Sequence, residues 1–500
     1  MSHPERQKFG TKLGIILATA GSAVGLGNVW RFPYMTGTNG GASFILIYLV
    51  CVFLLGIPCM VSEFIIGRHG ASNTARAYSR LSGGSMWKWV GVLGVLTGFL
   101  ITGYYAVVSG WCLEYIYGSV AGKLSGDANY FTDYFNDFST NAYKPIIWAV
   151  LFLVITHFVI VRGVRNGIER ASKMLMPALF LLLLLLVGAS CTLPGASKGI
   201  AFLFDFTNFK EMDGNVVLGA LGQSFYSLSL AMGCICTYAS YFNRHTNLLK
   251  SAVQISLLDS LIAILAGLMI FPAAFSVGVN PDSGAKLVFI TLPNVFQQAF
   301  GGMPVVAFVV SLLFYALLAL AALTSLISLH EVSTVFLQEE MKVSRAKAAT
   351  IVTASCAVIG AFCSLSLAQD RGLTLFGMPL FELFDFVTGQ IFLPVGGMLT
   401  CIFLGWFVPR KIVHDEFTNW GTLKGSLFGI YLFCVRFICP ICILLVIGNA
   451  ETNRFDVSGK FNLASKVDLL CDGVVVKGVD GRCVAETRVI ADGNGLCVSH

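Results

Sequence analysis

Three glycines and two polar residues in the first hydrophobic segment have the chemistry of a buried ion or ligand site. They are Gly21, Gly25, Gly27, Asn28 and Arg31. Glycine loses much backbone entropy on entering a helix, so a helix is expected to be weak at this point. An opened backbone is tolerated in a bilayer only where protein buries it or where it lines a cavity or an ion site. The segment therefore predicts a binding site at mid-membrane depth.

Two later segments add polar groups of the same kind. Ser227, Ser229 and Gly233 would weaken a helix halfway along the apolar segment 215–242. Asp259 lies within an apolar run, and an acidic residue inside a membrane indicates a functional site by default. The segment 215–242 is therefore the counterpart of the first one.

The elements that must position these residues are membrane-spanning helices. The 500 residues are 56% hydrophobic and only 12% charged, whereas soluble domains carry about 25% charged residues. The net charge of +6 does not indicate nucleic-acid binding, because the basic residues lie in short loops between apolar segments. Spans need about 20 mostly apolar residues. Eleven segments qualify: 11–36, 42–69, 88–121, 144–162, 170–191, 215–242, 249–277, 301–337, 347–368, 377–407 and 425–449.

The two interrupted segments are the first and the sixth, so each begins a group of five. This arrangement is expected of secondary transporters built from inverted repeats. The predicted fold class is an all-α membrane protein with a 5+5 inverted repeat and eleven transmembrane helices, in which spans 1 and 6 are unwound at mid-membrane.

Charge distribution predicts the orientation. Basic residues gather in alternate loops, and the other loops carry more acids, among them Asp127 and Asp133. The positive-inside rule then places the amino terminus in the cytoplasm. The first span lacks a cleavage site and is expected to act as an uncleaved signal. We predict a cytoplasmic segment 1–10, a transporter domain 11–449 and a polar extracytoplasmic tail 450–500.

Several motifs together resemble those of the bacterial neurotransmitter:sodium symporter family, whose amino-acid carriers have the LeuT fold. The resemblance covers about residues 1–449 and is carried by the motifs at 21–33, 39–41, 56–58, 104–105, 227–229, 237–241 and 321–325. It implies a multi-pass protein of the bacterial inner membrane that imports an amino acid with sodium by alternating access. Besides this small-molecule substrate and the lipid bilayer, it implies no nucleic acid, no obligate protein partner and no organic cofactor.

The resemblance also implies two Na+ sites, and every matching residue can offer the oxygen ligands that suit a hard cation. The first site, completed by the substrate carboxylate, maps onto Ala23, Asn28, Ser227 and Asp259. The second maps onto the carbonyls of Gly21, Val24 and Ala321 and the hydroxyls of Thr324 and Ser325. For those two hydroxyls, hydrogen bonding back to helix carbonyls is the alternative.

Asp259 departs from the pattern of many relatives, which have asparagine here and serine or glutamate one helical turn later. This chain has Ala263 at that later position, although the other chloride partners, Tyr48, Gln223 and Ser227, are present. We predict that the Asp259 carboxylate supplies the negative charge and removes any requirement for chloride. A protonated, hydrogen-bonded aspartic acid is the alternative.

The resemblance implies a ligand that brings its own carboxylate, because Gly25 stands where monoamine carriers have aspartate. The carboxylate would meet the first sodium, the amides of Leu26 and Gly27 and the hydroxyl of Tyr105. The amine would meet carbonyls near Ala23, Tyr226 and Ser229. The pocket walls map onto Ile101, Tyr105, Tyr226, Met232, Ser325 and Leu329. None of these is charged, so we predict a neutral, apolar or aromatic L-amino acid; ordinary packing is the alternative role of Met232.

Two pairs of charged residues match the gates of the family. Arg31 and Asp385 would close the outer side, whereas Arg6 and Glu339 would close the cytoplasmic side. For the second pair, a static surface contact worth about 0–1 kcal/mol is the alternative. Phe9, Tyr226 and Tyr241 resemble hydrophobic lids, and Glu63 is expected to support the opened backbone.

Other chemistries fit less well. His330 has no second histidine four residues later, where Thr334 stands, so a zinc-protease helix is excluded. The glycines at 21–27 lack the Gly-Lys-Ser/Thr ending of a phosphate-binding loop. We therefore predict no enzymatic activity. An amino-acid sensor and a sodium-independent exchanger of the same fold remain as alternatives.

Overall fold

Apolar helices form nearly all of the described chain, which comprises residues 7–206, 214–278, 287–368 and 373–448 of the computed structural model. The α-helices are α1 Lys12–Ala23, α2 Phe32–Thr38, α3 Ala42–Cys51, α4 Ile57–Gly70, α5 Thr74–Leu81, α6 Lys88–Val120, α7 Ala128–Ser139, α8 Lys144–Val161, α9 Arg170–Cys191, α10 Ala196–Phe204, α11 Gly214–Ser227, α12 Cys234–Ala239, α13 Leu248–Ser276, α14 Leu292–Phe300, α15 Pro304–Glu340, α16 Arg345–Ser366, α17 Leu380–Phe386, α18 Leu393–Ile402, α19 Arg410–Phe417 and α20 Phe428–Phe433. A last helical stretch covers 439–448.

Wider π-helical turns join several of these helices into longer rods, and one small hairpin is present. The turns are Gly27–Arg31, Val52–Gly56, Val164–Glu169, Leu287–Thr291, Val387–Phe392, Phe403–Phe407 and Cys434–Ile438. The strands β1 Thr374–Leu375 and β2 Met378–Pro379 are antiparallel, with Thr374 opposite Pro379.

Within the described ranges, nine helices are long and apolar enough to cross a membrane, and one bent pair brings the number to ten. The nine are Ala42–Gly70, Lys88–Val120, Lys144–Val161, Val164–Cys191, Leu248–Ser276, Pro304–Glu340, Arg345–Ser366, Leu380–Phe407 and Phe428–Gly448. The bent pair joins Lys12–Ala23 to Gly27–Thr38 at 54°. The predicted sixth span corresponds to α11 and α12, each of which is too short to cross by itself.

The span pattern predicts loops at five places where the structure has helices: α5, α7, α10, α14 and α19. Each has 8 to 12 residues, so a criterion of about 20 apolar residues does not detect them. They extend the helical structure between the spans. The tail 450–500 and Arg6 lie outside the described residues.

The two longest helices, α6 and α15, lie side by side through the core. Gly98 of α6 also allows the segment between α11 and α12 to approach closely, since a Cβ atom on Gly98 would lie 2.9 Å from the carbonyl oxygen of Met232. The outer surface is apolar, as Leu185 and Leu444 are 53% and 59% exposed. An exposed apolar surface of this extent indicates contact with lipid.

Candidate functional site

The first helix breaks where the glycine-rich motif begins. Helix α1 ends at Ala23, and Val24 donates its last helical hydrogen bond to the carbonyl of Ala20 at 2.7 Å. Val24 itself is extended, with φ −71° and ψ 103°, and helical structure resumes at Gly27. The helix is therefore interrupted at Val24 and Gly25 inside an apolar segment.

Side chains satisfy the backbone that this break exposes. The amide of Gly25 donates to Asn28 Oδ1 at 3.2 Å, and the amide of Leu26 donates to the hydroxyl of Tyr105 at 3.1 Å. A buried amide without a partner costs about 1–3 kcal/mol. Asn28 and Tyr105 therefore stabilise the open conformation.

A second break follows Ser227, the last residue of α11, and ends where α12 begins. Ser229, Ala231 and Gly233 have φ angles of 51°, 62° and 76°. Left-handed backbone is costly for residues other than glycine, so neighbours must hold it. The Glu63 carboxylate does so, because it accepts the amide of Ala231 at 2.6 Å while only 3% exposed.

The two breaks face each other and enclose a cavity. Ser229 Oγ donates across the gap to the carbonyl of Ser22 at 2.8 Å. Both breaks contribute to the lining, together with α6 and α15. The lining residues are Ser22, Ala23, Gly25, Gly27, Asn28, Ile101, Tyr105, Tyr226, Ser227, Ser229, Met232, Ser325 and Leu329.

The cavity has a polar end and an apolar end. Ile101, Met232 and Leu329 supply aliphatic and thioether surface, while the broken helices supply backbone groups and hydroxyls. All thirteen lining residues are uncharged. Such a site suits a ligand with a neutral side chain, since a buried ion needs a partner to offset its desolvation.

Gly25 has no room for a side chain. A Cβ atom at this position would lie 2.5 Å from Ser325 Oγ and 3.2 Å from the hydroxyl of Tyr105. The backbone of Gly25 thus approaches α15 and α6 closely. Any larger residue must displace one of these two hydroxyl groups.

Asp259 lies fully buried behind this cavity and is held by three donors. Asn28 Nδ2 donates to its Oδ1 at 2.7 Å, and the hydroxyls of Ser227 and Tyr48 approach its Oδ2 at 2.8 and 3.3 Å. None of the ion pairs between described residues includes Asp259. Ala263, one turn later and also buried, has no hydroxyl to offer.

A second group of oxygens lies where α1 ends beside α15. Thr324 Oγ1 is 3.0 Å from the carbonyl oxygen of Ala321 and 3.4 Å from that of Val24. Ser325 Oγ is 3.2 Å from the carbonyl oxygen of Val24 and 3.5 Å from that of Ser22. Two hydroxyl hydrogens thus face more acceptor positions than they can satisfy. An excess of oxygen acceptors fits a hard cation.

The outer charged pair is not in direct contact. The guanidinium of Arg31 lies 4.5 Å from the ring centre of Tyr226, and the hydroxyl of Tyr104 donates to Asp385 Oδ1 at 3.1 Å. Of the ion pairs between described residues, none joins Arg31 to Asp385. The two groups are therefore held by aromatic residues instead.

The opposite side of the site is closely packed. Phe9 is 2% exposed and contacts the rings of Tyr238 and Tyr241 edge to face, with centroids 5.9 Å apart in each case. The Tyr241 hydroxyl donates to Glu331 Oε1 at 2.7 Å, and Arg345 pairs with Glu331 Oε2 at 2.5 Å. This clasp joins the turn after α12 to α15 and α16 on the Phe9 side of the cavity.

Glu339 lies nearer the end of α15, and Asn73 donates two hydrogen bonds to it. Its carboxylate accepts the backbone amide and the side-chain amide of Asn73 at 2.8 and 3.0 Å. The predicted partner, Arg6, lies outside the described residues.

Ten of the eleven predicted substrate residues line this cavity. The exception is Leu26, whose buried side chain packs in the core while its amide donates to Tyr105. Gly21 lies against Thr324, because a Cβ atom on Gly21 would be 3.3 Å from Thr324 Cβ. Two features were not predicted from the sequence: Ser22 lines the cavity, and Glu331 pairs with Arg345. Charged residues in apolar segments were the available signal for that pair.

Comparisons with known proteins identify a family and several relatives. A sequence model described as "Sodium:neurotransmitter symporter family" matches residues 6–144 and 128–458. An uncharacterized sodium-dependent transporter of Bacillus subtilis is 36% identical over 452 residues, which are 90% of this chain and 98% of the relative. The sodium- and chloride-dependent GABA transporter 2 of Mus musculus is 27% identical, over 76% of this chain and 69% of its own length.

A solved structure has the same fold. The crystal structure of MhsT in complex with L-phenylalanine superposes with a TM-score of 0.80 at 40% identity. The match covers 89% of this chain and 100% of the solved one.

Proposed function

The chain belongs to the sodium:neurotransmitter symporter family, and from this premise we propose that it imports neutral apolar or aromatic L-amino acids with sodium ions. The observation that carries the substrate class is the uncharged cavity between the two helix breaks. Its relatives and its helices indicate a sodium-dependent symporter with a LeuT-like fold. MhsT, which binds L-phenylalanine, supports the choice of ligand.

We propose that the ligand lies with its carboxylate against the first break. Tyr105 already accepts the amide of Leu26, so its own hydroxyl hydrogen is free to be donated to the carboxylate. The amine would meet carbonyl oxygens of Ala23 and of the second break. The side chain would then lie against Ile101, Met232 and Leu329. Such a pocket separates substrates that differ by one methylene by only about 1–3 kcal/mol, so several amino acids are expected to compete.

Two sodium ions are proposed as co-transported substrates. The first would lie among Ala23, Asn28, Ser227 and the Asp259 side of the cavity, where it would contact the ligand carboxylate. The second would lie among Gly21, Val24, Ala321, Thr324 and Ser325. Each ion would be coordinated by buried oxygen atoms. Because the second ion would join α1 to α15, sodium would stabilise the packing of these two helices.

Chloride is not required in this proposal. Asp259 has no cationic side chain beside it among the described residues, so its carboxylate can offset the charge of the first sodium ion. The donors Asn28, Ser227 and Tyr48 favour an ionised carboxylate, because each donates toward it. A chloride ion would add a second negative charge beside the Asp259 carboxylate, where a single negative charge is sufficient.

Alternating access is proposed from the two sides of the site. On one side, Phe9 and the clasp of Tyr241, Glu331 and Arg345 close the cavity. On the other side, approach of Arg31 to Asp385 would close it over the ligand. We propose eleven spans, a 5+5 repeat with the helix breaks at mid-membrane, a cytoplasmic amino terminus and an external tail, in a bacterial inner membrane.

The proposal is tested by uptake into liposomes that contain the purified chain. Labelled leucine, tyrosine and tryptophan are compared while sodium is replaced by choline, and chloride by gluconate, each independently. We expect saturable uptake that requires sodium, continues without chloride and is blocked by unlabelled neutral amino acids. Binding without uptake would favour a sensor, and uptake without sodium would favour an exchanger. Preference for a charged amino acid would contradict the pocket assignment.

A further inference from the structure

Three cysteines from distant parts of the sequence meet at one buried point outside the cavity. Cys59 lies in α4, Cys401 lies in α18, and Cys439 follows the turn Cys434–Ile438. Their sulfur atoms all lie within 4.8 Å of one another, and the sulfur atoms of Cys59 and Cys401 are 3.4 Å apart. The three residues are 3%, 0% and 0% exposed.

The other interactions of these thiols are weak. Cys439 Sγ lies 3.8 and 3.9 Å from the carbonyl oxygens of Leu54 and Leu55, and thiols are poor hydrogen-bond donors. Among the described residues, no histidine, acidic or further cysteine ligand atom joins the group. The cluster thus offers three sulfur ligands that have few other hydrogen-bond partners.

The number and type of the ligands indicate the kind of ion. With metal–sulfur bonds of about 2.3 Å, a planar trigonal site places its sulfur atoms about 4 Å apart. Structural zinc sites use four ligands, whereas soft sulfur ligands also select Cu(I). We infer that Cys59, Cys401 and Cys439 form a binding site for a Cu(I) ion.

Binding at this site is coordination without electron transfer. Copper enters and remains as Cu(I), and each cysteine that binds as a thiolate releases one proton. The step therefore needs no oxidant, and the affinity rises with pH.

The site is connected to the second helix break. Cys59 precedes Glu63 by four residues, and residues at this spacing share one face of a helix. Glu63 accepts the amide of Ala231 at 2.6 Å. A bound ion would join α4 to α18 and to the last span, and, if the chain transports as proposed above, it would slow uptake.

The site is tested on the full chain, purified with reduced thiols and titrated anaerobically with Cu(I) against a coloured Cu(I) chelator. We expect the unaltered protein to bind one equivalent more than Cys401→Ala or Cys59→Ala. Cys363→Ala is the matched control, because Cys363 is a fully buried free cysteine in α16; it should bind as much as the unaltered protein. X-ray absorption should show three sulfur neighbours at about 2.3 Å.

Three results would overturn the site: equal binding by Cys401→Ala, two sulfur neighbours, or a disulfide between Cys59 and Cys401 without bound copper. Uptake gives a separate readout in the same samples. We expect Cu(I) to slow uptake several-fold in the unaltered protein and in Cys363→Ala, but not in Cys401→Ala. Equal uptake with and without the ion would overturn the effect on transport. Because copper binding is measured without transport, failure of the site and failure of the proposed symport are distinguishable.

Discussion

At the scale of single residues, the chemistry of the site depends on a buried carboxylate whose hydrogen-bond donors are all uncharged. Asn28, Ser227 and Tyr48 donate to Asp259, and no Lys or Arg pairs with it among the described residues. Removing water from an ion without an opposite charge costs several kcal/mol. A cation that enters this part of the site would therefore gain from the carboxylate, which is the physical basis of the first proposed sodium site.

Replacement of the carboxylate by an amide should change the ion requirement. In Asp259→Asn, uptake in chloride-free medium should fall at least about tenfold, equivalent to about 1.4 kcal/mol, because the first sodium ion loses its opposing charge. Chloride should then restore part of the activity. The measurement is sodium-driven uptake over a series of chloride concentrations.

The matched variant is Asp259→Asn with Ala263→Ser, which adds the hydroxyl that Ala263 lacks. We expect this double variant to respond to lower chloride concentrations than Asp259→Asn. Full activity of Asp259→Asn without chloride, or no response to chloride in either variant, would contradict the proposed role of the carboxylate.

Gly25 allows a second residue-level prediction. In Gly25→Ala, the new methyl group would lie 2.5 Å from Ser325 Oγ, so the serine must turn away from the proposed sodium ligands. The apparent sodium affinity should fall about tenfold, or about 1.4 kcal/mol. The control is Gly222→Ala, since no atom lies within 4 Å of the position of a Cβ atom there. Equal sodium affinities in the two variants would contradict the assignment of Ser325.

At the scale of elements, the site depends on two helix breaks that support each other. Ser229 Oγ binds the carbonyl of Ser22, while Glu63 in α4 holds the amide of Ala231. Neither broken segment satisfies its backbone alone. Each break therefore requires a neighbouring helix, which explains why these residues surround the cavity.

Loss of the Glu63 carboxylate should disturb the second break selectively. In Glu63→Leu, no acceptor remains for the amide of Ala231, and substrate binding should weaken by about 1–3 kcal/mol, the cost of an unsatisfied buried amide. Ligand binding is measured by scintillation proximity. The control is Glu114→Leu, because Glu114 is also buried but accepts from Trp148 and Tyr134. Equal ligand affinity in the two variants would contradict the role of Glu63.

The sequence predicted the parts of the site that depend on local residue types. The glycines near Gly25 and the hydroxyl of Ser229 mark places where a helix is weak, and a family resemblance supplied their partners. Short helices such as α7 and α14 escaped prediction, because they are too short for the span criterion. The separation of Arg31 from Asp385 escaped it too, since residue types alone do not determine the distance between two side chains.

At the scale of the whole molecule, the two sides of the cavity are closed to different degrees. On one side, Phe9 packs on Tyr238 and Tyr241, and Glu331 joins Tyr241 to Arg345. On the other side, none of the ion pairs between described residues joins Arg31 to Asp385. A carrier must exchange these two arrangements, so weakening the clasp should favour the state that opens on the side of Phe9.

Tyr241→Phe tests this exchange, because it removes the hydroxyl that donates to Glu331 while keeping the ring against Phe9. Without sodium, we expect Cys234, fully buried in α12, to react several-fold faster with a maleimide than in the unaltered chain. The rate at Cys234 is read by peptide mass spectrometry. Sodium should slow the reaction, since the proposed second ion would hold α1 against α15.

Tyr238→Phe provides the comparison that separates the clasp from simple loss of packing. Its hydroxyl bonds to Ser328 at 2.9 Å, so this variant loses a buried hydroxyl beside Phe9 but keeps the link between Tyr241 and Glu331. Cys234 should then react as slowly as in the unaltered chain. If both variants expose Cys234 equally, local loosening explains the effect. If only Tyr241→Phe does, the free energy of the clasp is part of what holds this side of the molecule shut.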